Sequence, residues 1–380
     1  MNILVTSSRA PVALDLIRAF AHAGHTVFAS DTVCWTVSSH SRYLARHFVT
    51  SPPRHAPDSF ARELQAIVVH QQIDWLIPTS EEVFYVARCH AVLAAHTRVF
   101  TEPLALLTEL HHKYRFGQHC AALGITTPRT ALIDSNVVLQ ELLPRFPRFL
   151  LKPAFSRFAT RIITNCGVRA GRLPLSACDP TPAQPWVLQE FIDGTGICTY
   201  STLHNGRVTA HCAYQTPRTV DGGAGVQFRS VDGAATLTIA EKLGRALNYT
   251  GQLSLDFIEN ERGLHILECN PRATSGLHLL APATLVGAIT RPDAPLLVAP
   301  AGRTRQLTAA MLASGAAHPA QWRELFRQAV LVGDVVFQPD DPLPALVQLV
   351  AAAGFGVKAL RRGMSMTKAM TENIEWNGER

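Results

Sequence analysis

The run that most constrains how this chain can fold lies between residues 251 and 272. GQLSLDFI (251–258) alternates like a half-buried strand, ENERG (259–263) is a polar turn containing glycine, and LHILECN (264–270) is a second strand. Hairpin pairing sets Asp256 beside Glu268 and Asn270, and a period of two sends Glu268 and Asn270 to one face. Two carboxylates and an amide oxygen on one face form an all-oxygen, net-negative donor set. Mg²⁺ selects such a set when nucleotide phosphates supply its remaining ligands. A solvated hairpin that happens to carry acids is the plain alternative. The flanks are strongly apolar, so the strands read as buried, and unpaired buried acids are costly. The metal reading is therefore preferred, and Cys269, between two of the ligands, should point away from them.

A chain of 380 residues can hold two or three compact units. With 47% hydrophobic and 17% charged residues it is not a disordered protein. The net charge of +6 is dispersed, without a Lys/Arg run interleaved with aromatics, so nucleic-acid binding is not expected. A positive balance suits nucleotides and acidic substrates. The eight cysteines lack a C-x-x-C pair and the sixteen histidines lack a helical H-x-x-x-H, which argues against a zinc or histidine metal site. Met1 leads directly into a strand and no run of eighteen apolar residues occurs, so the expectation is a cytoplasmic chain with no membrane span.

Along the chain, NILVT (2–6), a helical pattern closed by Gly24, and TVFASD (26–31) make a β-α-β unit and hence a parallel sheet. The turn TSSRAP (6–11) has no G-x-G-x-x-G, so a dinucleotide site is not supported despite Asp31 at the place of a ribose acid. WLIPTSEE (75–82) is a further strand and turn, where Glu81 and Glu82 are either first-turn helix charges or acids facing a crevice. Residues 109–124 read as one helix carrying Lys113. FLLKP (149–153) is an apolar strand holding Lys152, and a lysine inside a strand is expensive unless its ammonium reaches an anion such as phosphate. WVLQEFIDG (186–194) is a strand closed by a D-G turn. Arg218 and Arg229 flank a glycine-rich loop, either a hairpin connection or a place for an acyl phosphate or carboxylate. Further on lie a strand and turn at 333–342, a short amphipathic helix at 344–353, a basic stretch at 356–370 and TENIEWNG at 371–378.

In this order, Asp256…Glu268-x-Asn270-Pro271-Arg272 resembles the metal-binding end of the ATP-grasp superfamily. Lys113-x-x-Phe116 with LGITTP (123–128) resembles the start of that fold, Lys152-Pro153 its second ATP lysine, and residues 186–194 its hinge, where the backbone at Glu190, Phe191 and Ile192 meets the adenine edge. TENIEWNG resembles a terminal signature of a bacterial biosynthetic subgroup. The resemblance implies an α/β chain: a Rossmann-like preliminary domain (1–100), a two-lobed ATP-grasp fold (α+β lobes 101–188 and 189–295, the second with the metal site), and a C-terminal extension (296–380). It implies ATP held by Lys113, Lys152, Ser156, Glu190, Phe191, Ile192 and Asp193, and one or two Mg²⁺ ions, or Mn²⁺, on Asp256, Glu268 and Asn270. Arg272 and Arg218 would be catalytic, with Glu81, Arg229, Ser275 and Gly276 against substrate. The implied activity is a carboxylate–amine ligase working through an acyl phosphate, with small-molecule partners and a homodimer allowed. Two departures stand out. The loop AFSRFATR (154–161) has no glycine, leaving Ser156, Arg157 and Thr160 to hold phosphate with side chains. TGICTY (195–200) also lacks the usual ribose acid, for which Asp193 or Glu190 would substitute. The rivals are a non-catalytic nucleotide-binding scaffold and a phosphotransferase of the same fold.

Overall fold

A computed structural model describes residues 1–156, 161–220, 223–315 and 322–379. The first strands, β1 (Asn2–Thr6), β2 (Thr26–Asp31), β3 (Arg46–Val49), β4 (Trp75–Ile77) and β5 (Arg98–Val99), pair in parallel in the order β3-β2-β1-β4-β5. Ile3, Leu4 and Val5 are fully buried, as a parallel sheet clothed by helices requires. Those helices are α1 (Pro11–His22), α2 (Pro57–His70), α3 (Val83–Arg88) and α4 (His90–Ala94). The strand order reverses at β1, so the crevice at the carboxyl ends of the strands is where such a sheet ordinarily receives a ligand.

The stretch 109–124 does not form one helix. α5 (Leu104–His111) ends and α6 (Lys113–Ala122) begins at His112, whose ψ of 103° is extended and whose ring accepts from the Arg115 N–H at 3.4 Å. The break makes Lys113 the first residue of a new helix and turns it inward, 4% exposed. β6 (Thr130–Ile133), α7 (Asn136–Leu142), β7 (Phe149–Pro153), β8 (Ile163–Thr164) and β9 (Trp186–Glu190) then build an antiparallel sheet in the order β6-β9-β7-β8. This lobe has its own core of Ile133, Leu139, Phe146, Leu151, Trp186 and Leu188.

After a connection at 191–194, β10 (Thr195–His204), β11 (Arg207–Thr219), β12 (Gly225–Val231), α8 (Ala234–Leu247), β13 (Gly251–Asn260), β14 (Gly263–Asn270) and α9 (Pro282–Thr290) form the second lobe. β15 (Leu297–Val298), β16 (Thr304–Gln306), α10 (Thr308–Gly315), α11 (Trp322–Leu331) and β17 (Gly333–Asp334) follow, and their strands join the same sheet, β14-β13-β10-β11-β12-β16-β17 with β15 beside β11. Finally α12 (Leu343–Arg362) and α13 (Met366–Thr371) run back toward the first sheet. α12 outruns the short helix expected at 344–353 and, with a mean hydropathy of 1.7, is long and apolar enough by composition to cross a membrane. Its Lys358 and Arg362 pair with Glu372 at 3.0 and 2.8 Å, and Phe355 and Ala359 are buried.

Leu4, Leu76 and Phe84 of the first domain share one apolar core with Leu255 and Phe257 of the second lobe and with Trp376. The first domain, second lobe and chain end thus form one body, and the lobe of β6–β9 is a second with a separate core.

Candidate active site

The hairpin pairs Asp256 with Glu268 and Ser254 with Asn270, but its register slips after Asp256, so that Phe257 faces Ile266 and Leu267 is an extra residue. At such a bulge two neighbouring side chains oppose one residue and lean to the same side. Ile266 and Cys269 are consequently buried in the core, while Leu267 and Glu268 are half-exposed toward the cleft. Simple alternation would have aimed Ile266, not Leu267, beside Glu268.

Asn270 Nδ2 donates to Asp256 Oδ2 at 3.1 Å. The ammonium groups of Lys113 and Lys152 both reach Glu268 Oε2, at 3.5 and 3.4 Å, and Lys113 also donates to the Ser156 carbonyl at 2.8 Å. Lys152 is 6% exposed within β7, and its ammonium is directed to Glu268 in this cleft. Burial and the adjoining Glu268 carboxylate push Asp256 above the usual carboxylate range. Burial would also raise Glu268, but the Lys113 and Lys152 ammonium groups override it and hold Glu268 down. Two carboxylates crowd each other while two lysines share one oxygen. A carboxylate–amide set beside two ammonium groups suits a cation next to a polyanion, the chemistry of Mg²⁺ and nucleotide phosphate. Among the described residues no three His, Cys, Asp or Glu side chains converge, so the donor set is two carboxylates with the Asn270 amide.

Arg272 joins this centre to the first domain. Its Nε lies 3.2 Å from Glu81 Oε1 and its Nη2 donates to Asn270 Oδ1 at 3.4 Å. The two neighbouring acids separate cleanly. Glu82 is the structural one, accepting from Thr6 Oγ1 (2.7 Å), Thr79 N (2.9 Å) and Ser80 N (3.0 Å). Glu81 is the acid that reaches the site.

At the other end of the cleft, Leu150, Phe191, Ile192, Ile258 and Leu267 line an apolar cavity of about 240 Å³. The amides of Glu190 and Phe191 are committed to Arg129 O and Arg148 O, at 2.9 and 3.0 Å. Among the described residues the Ile192 amide makes no backbone hydrogen bond. Outside lies a cleft of about 710 Å³ lined by Arg129, Arg148, Asp193, Glu259 and Arg262. Both acids suggested for the ribose are already engaged: Asp193 with Arg148 at 2.6 Å, and Glu190 with the Arg129 amide at 3.0 Å.

Other expected residues sit elsewhere. The Ser156 hydroxyl turns back to Pro153 O at 3.2 Å, so its carbonyl is the group facing Lys113. Arg157 and Thr160 lie outside the described residues. Arg229 is exposed on β12, and the Arg218 charge acts on Glu324 of α11. Among the described residues neither arginine pairs with an acid of the centre. Gly276 is buried, and a Cβ there would come within 2.7 Å of the Tyr200 Cβ, so its part is close packing. Ser275 begins a short 3₁₀ turn that Thr274 ties to Ser254 at 2.9 Å. Sequence reasoning missed His111, Phe84, Phe155 and Trp376, which cluster beside Glu81 and Lys113. Trp376 stacks on Phe84 with centroids 4.5 Å apart, and burial pushes His111 down to about 4. The only local signal was the pair His111-His112 ahead of Lys113.

No family model matches this chain, and no curated protein matches it by sequence. Solved structures nevertheless share its architecture. N5-carboxyaminoimidazole synthetase from Staphylococcus aureus, complexed with ADP, aligns over 85% of this chain and 86% of its own, with a TM-score of 0.65 and 9% identity. Phosphoribosylamine–glycine ligase from Thermotoga maritima aligns over 80% and 78%, at 0.60 and 14%. L-amino acid ligase from Bacillus licheniformis aligns over 76% and 75%, at 0.57 and 12%. The chain has the ATP-grasp fold, an α/β first domain followed by two lobes that enclose a cleft.

Proposed function

We propose that this protein is an ATP-dependent ligase that activates a small-molecule carboxylate as an acyl phosphate and joins it to an amine, releasing ADP and phosphate. The observation that carries this reading is the convergence of Lys113 and Lys152 on Glu268, beside Asp256 and Asn270, in a cleft whose other end is an apolar cavity. Three solved structures of the same fold, named for synthetase or ligase activity, support it.

In this mechanism Leu150, Ile258 and Leu267 sandwich the adenine, and the Ile192 amide reads its edge. Lys113 and Lys152 transfer their charge from Glu268 to the arriving phosphates. Asp256, Glu268 and Asn270 would hold Mg²⁺, one ion or two, which when bound neutralises phosphate charge. A substrate carboxylate oxygen attacks the γ-phosphorus as the bond to ADP breaks, a transfer governed by positioning and charge. Arg272, oriented by Glu81, stabilises the charge on the transferring group. The amine nitrogen then attacks the acyl carbon and phosphate leaves. Closure of the separately cored lobe of β6–β9 keeps water from the acyl phosphate. A cytoplasmic setting, where ATP is supplied, agrees with eight free cysteines.

The test is ADP release with Mg-ATP against pooled amino acids and small carboxylates, with Glu268→Gln as control. Release that requires both a carboxylate and an amine, and vanishes in the variant, supports the ligase. Release with the acceptor alone, yielding a stable phosphoryl product, points to a phosphotransferase instead. Tight nucleotide binding without turnover on any pool favours the scaffold.

A further inference from the structure

The crevice at the carboxyl ends of the first sheet is filled by the chain's own end. Arg9, in the turn after β1, is paired with buried Asp31 and donates to Asn373 Oδ1 at 2.9 Å. The Arg54 amide donates to Asn373 O at 3.2 Å, and Tyr85 Oη to Glu375 O at 2.9 Å. The Glu375 carboxylate pairs with Arg54 and Lys368. Ile374 and Trp376 are buried, so this segment is tied down as firmly as a core element.

Trp376 carries that anchorage across to the nucleotide end of the cleft. Besides stacking on Phe84, it meets Phe155 edge-on, with centroids 5.2 Å apart and planes at 76°. Gly378, at φ +88°, lies against the same ring so closely that a Cβ would come within 2.6 Å of it. Phe155 is flanked by the two carbonyls that place Lys113. Ala154 O accepts from the Lys113 amide at 3.1 Å, and Ser156 O accepts from its ammonium at 2.8 Å. Phe155 directly follows β7 of the separately cored lobe, yet its ring packs with Trp376 on the main-body core. The aromatic contact therefore joins the two bodies beside the phosphate-binding lysines.

We propose that Trp376 is a positioning residue for the phosphate corner. By clamping Phe155 it fixes the carbonyls of residues 154 and 156, and through them Lys113, and so sets how tightly the protein holds nucleotide phosphates. Trp376 touches no reacting atom. The nature of the ligand rests on the ATP-grasp reading above.

The experiment titrates the full-length protein with a fluorescent (mant) ATP in Mg²⁺ and records thermal melting of each variant. Trp376→Ala weakens binding by about tenfold or more, and Trp376→Phe restores it to within about threefold. Gly378→Ala presses on Phe155 from near the chain end without removing a core side chain, so it weakens binding, and the left-handed φ of +88° adds a local strain that the melting curve reads separately. It also keeps the idea testable should Trp376→Ala fail to fold. Combining Trp376→Ala with Phe155→Ala costs no more than the larger single change, because both remove one contact. Wild-type affinity in Trp376→Ala or in Gly378→Ala overturns the inference, as do strictly additive losses. Failure of the wild-type protein to bind the nucleotide overturns the ligase reading, and this inference with it.

Discussion

The first domain and the β13–β14 hairpin both bury charged groups, but they treat them differently. In the first domain the buried ion pairs are answered within the chain. Arg9 Nε reaches Asp31 Oδ1 at 2.9 Å while the Arg9 amide fills Asp31 Oδ2 at 2.9 Å. Arg18 pairs with Asp341 at 2.9 Å and donates to the carbonyls of Val335 and Val336. At the hairpin, two like charges adjoin and two lysines compete for one oxygen. A buried polar network that is complete specifies a fold. One left mismatched in both signs is where the proposed function seats its ligand.

Four substitutions or conditions can break or sharpen this contrast. The largest effect is expected for Glu268→Gln, which should lower turnover by about 10³-fold or more, roughly 4 kcal/mol of transition-state stabilisation. Turnover within tenfold of wild type, read by ADP release, would remove Glu268 from the centre. Asp31→Asn should act on the fold, costing about 3–5 kcal/mol because it leaves Arg9 buried without its counter-charge. Denaturant unfolding reads that loss, and an unchanged midpoint would mean the first network is not structural.

Asp256→Asn should go the other way. Relief of like-charge crowding should raise the melting temperature of the metal-free protein by roughly 1 °C, the equivalent of about 1 kcal/mol in a chain of this length, while activity disappears. A lower melting temperature would place Asp256 with the completed networks. The fourth is a pH dependence at His211, a fully answered group bonded to Ser201 Oγ and Thr236 Oγ1, each at 2.9 Å. Burial pushes its pKa down to about 4 from the ordinary 6.5. Between those values the unfolded chain binds the proton and the folded one does not, so stability should fall as pH drops from 6.5 to 4. His211→Gln should flatten that fall, and an equally steep profile in the variant would dismiss the assignment.

Much of this was legible along the chain, because adjacent residues decide it. The β-α-β start follows from apolar runs and turns, and β7 occupies Phe149–Pro153 as its pattern indicates. Asp256, Glu268 and Asn270 meet because a hairpin makes near neighbours of residues close in sequence. The expected helix across 109–124 failed at His112, where a ring-to-backbone bond and the amide bond from Lys113 to Ala154 stop one helix and start another. That break, invisible to periodicity, turns an ordinary helical lysine into a phosphate ligand candidate.

Local pattern, then, determined the strands, the order of parts and the carboxylate–amide face of the hairpin, since a period of two and a tight turn act over a few residues. Only the tertiary structure decided which acid of the Glu81-Glu82 pair meets Arg272 and which hinge groups were already spent. It alone also turned Leu267 into the cleft and set Trp376 against Phe155. Each of those depends on a partner far away in the sequence or on a one-residue slip in register. Neither leaves a periodic trace in the residues concerned, because the energy that selects it comes from contacts made only after the chain has closed on itself.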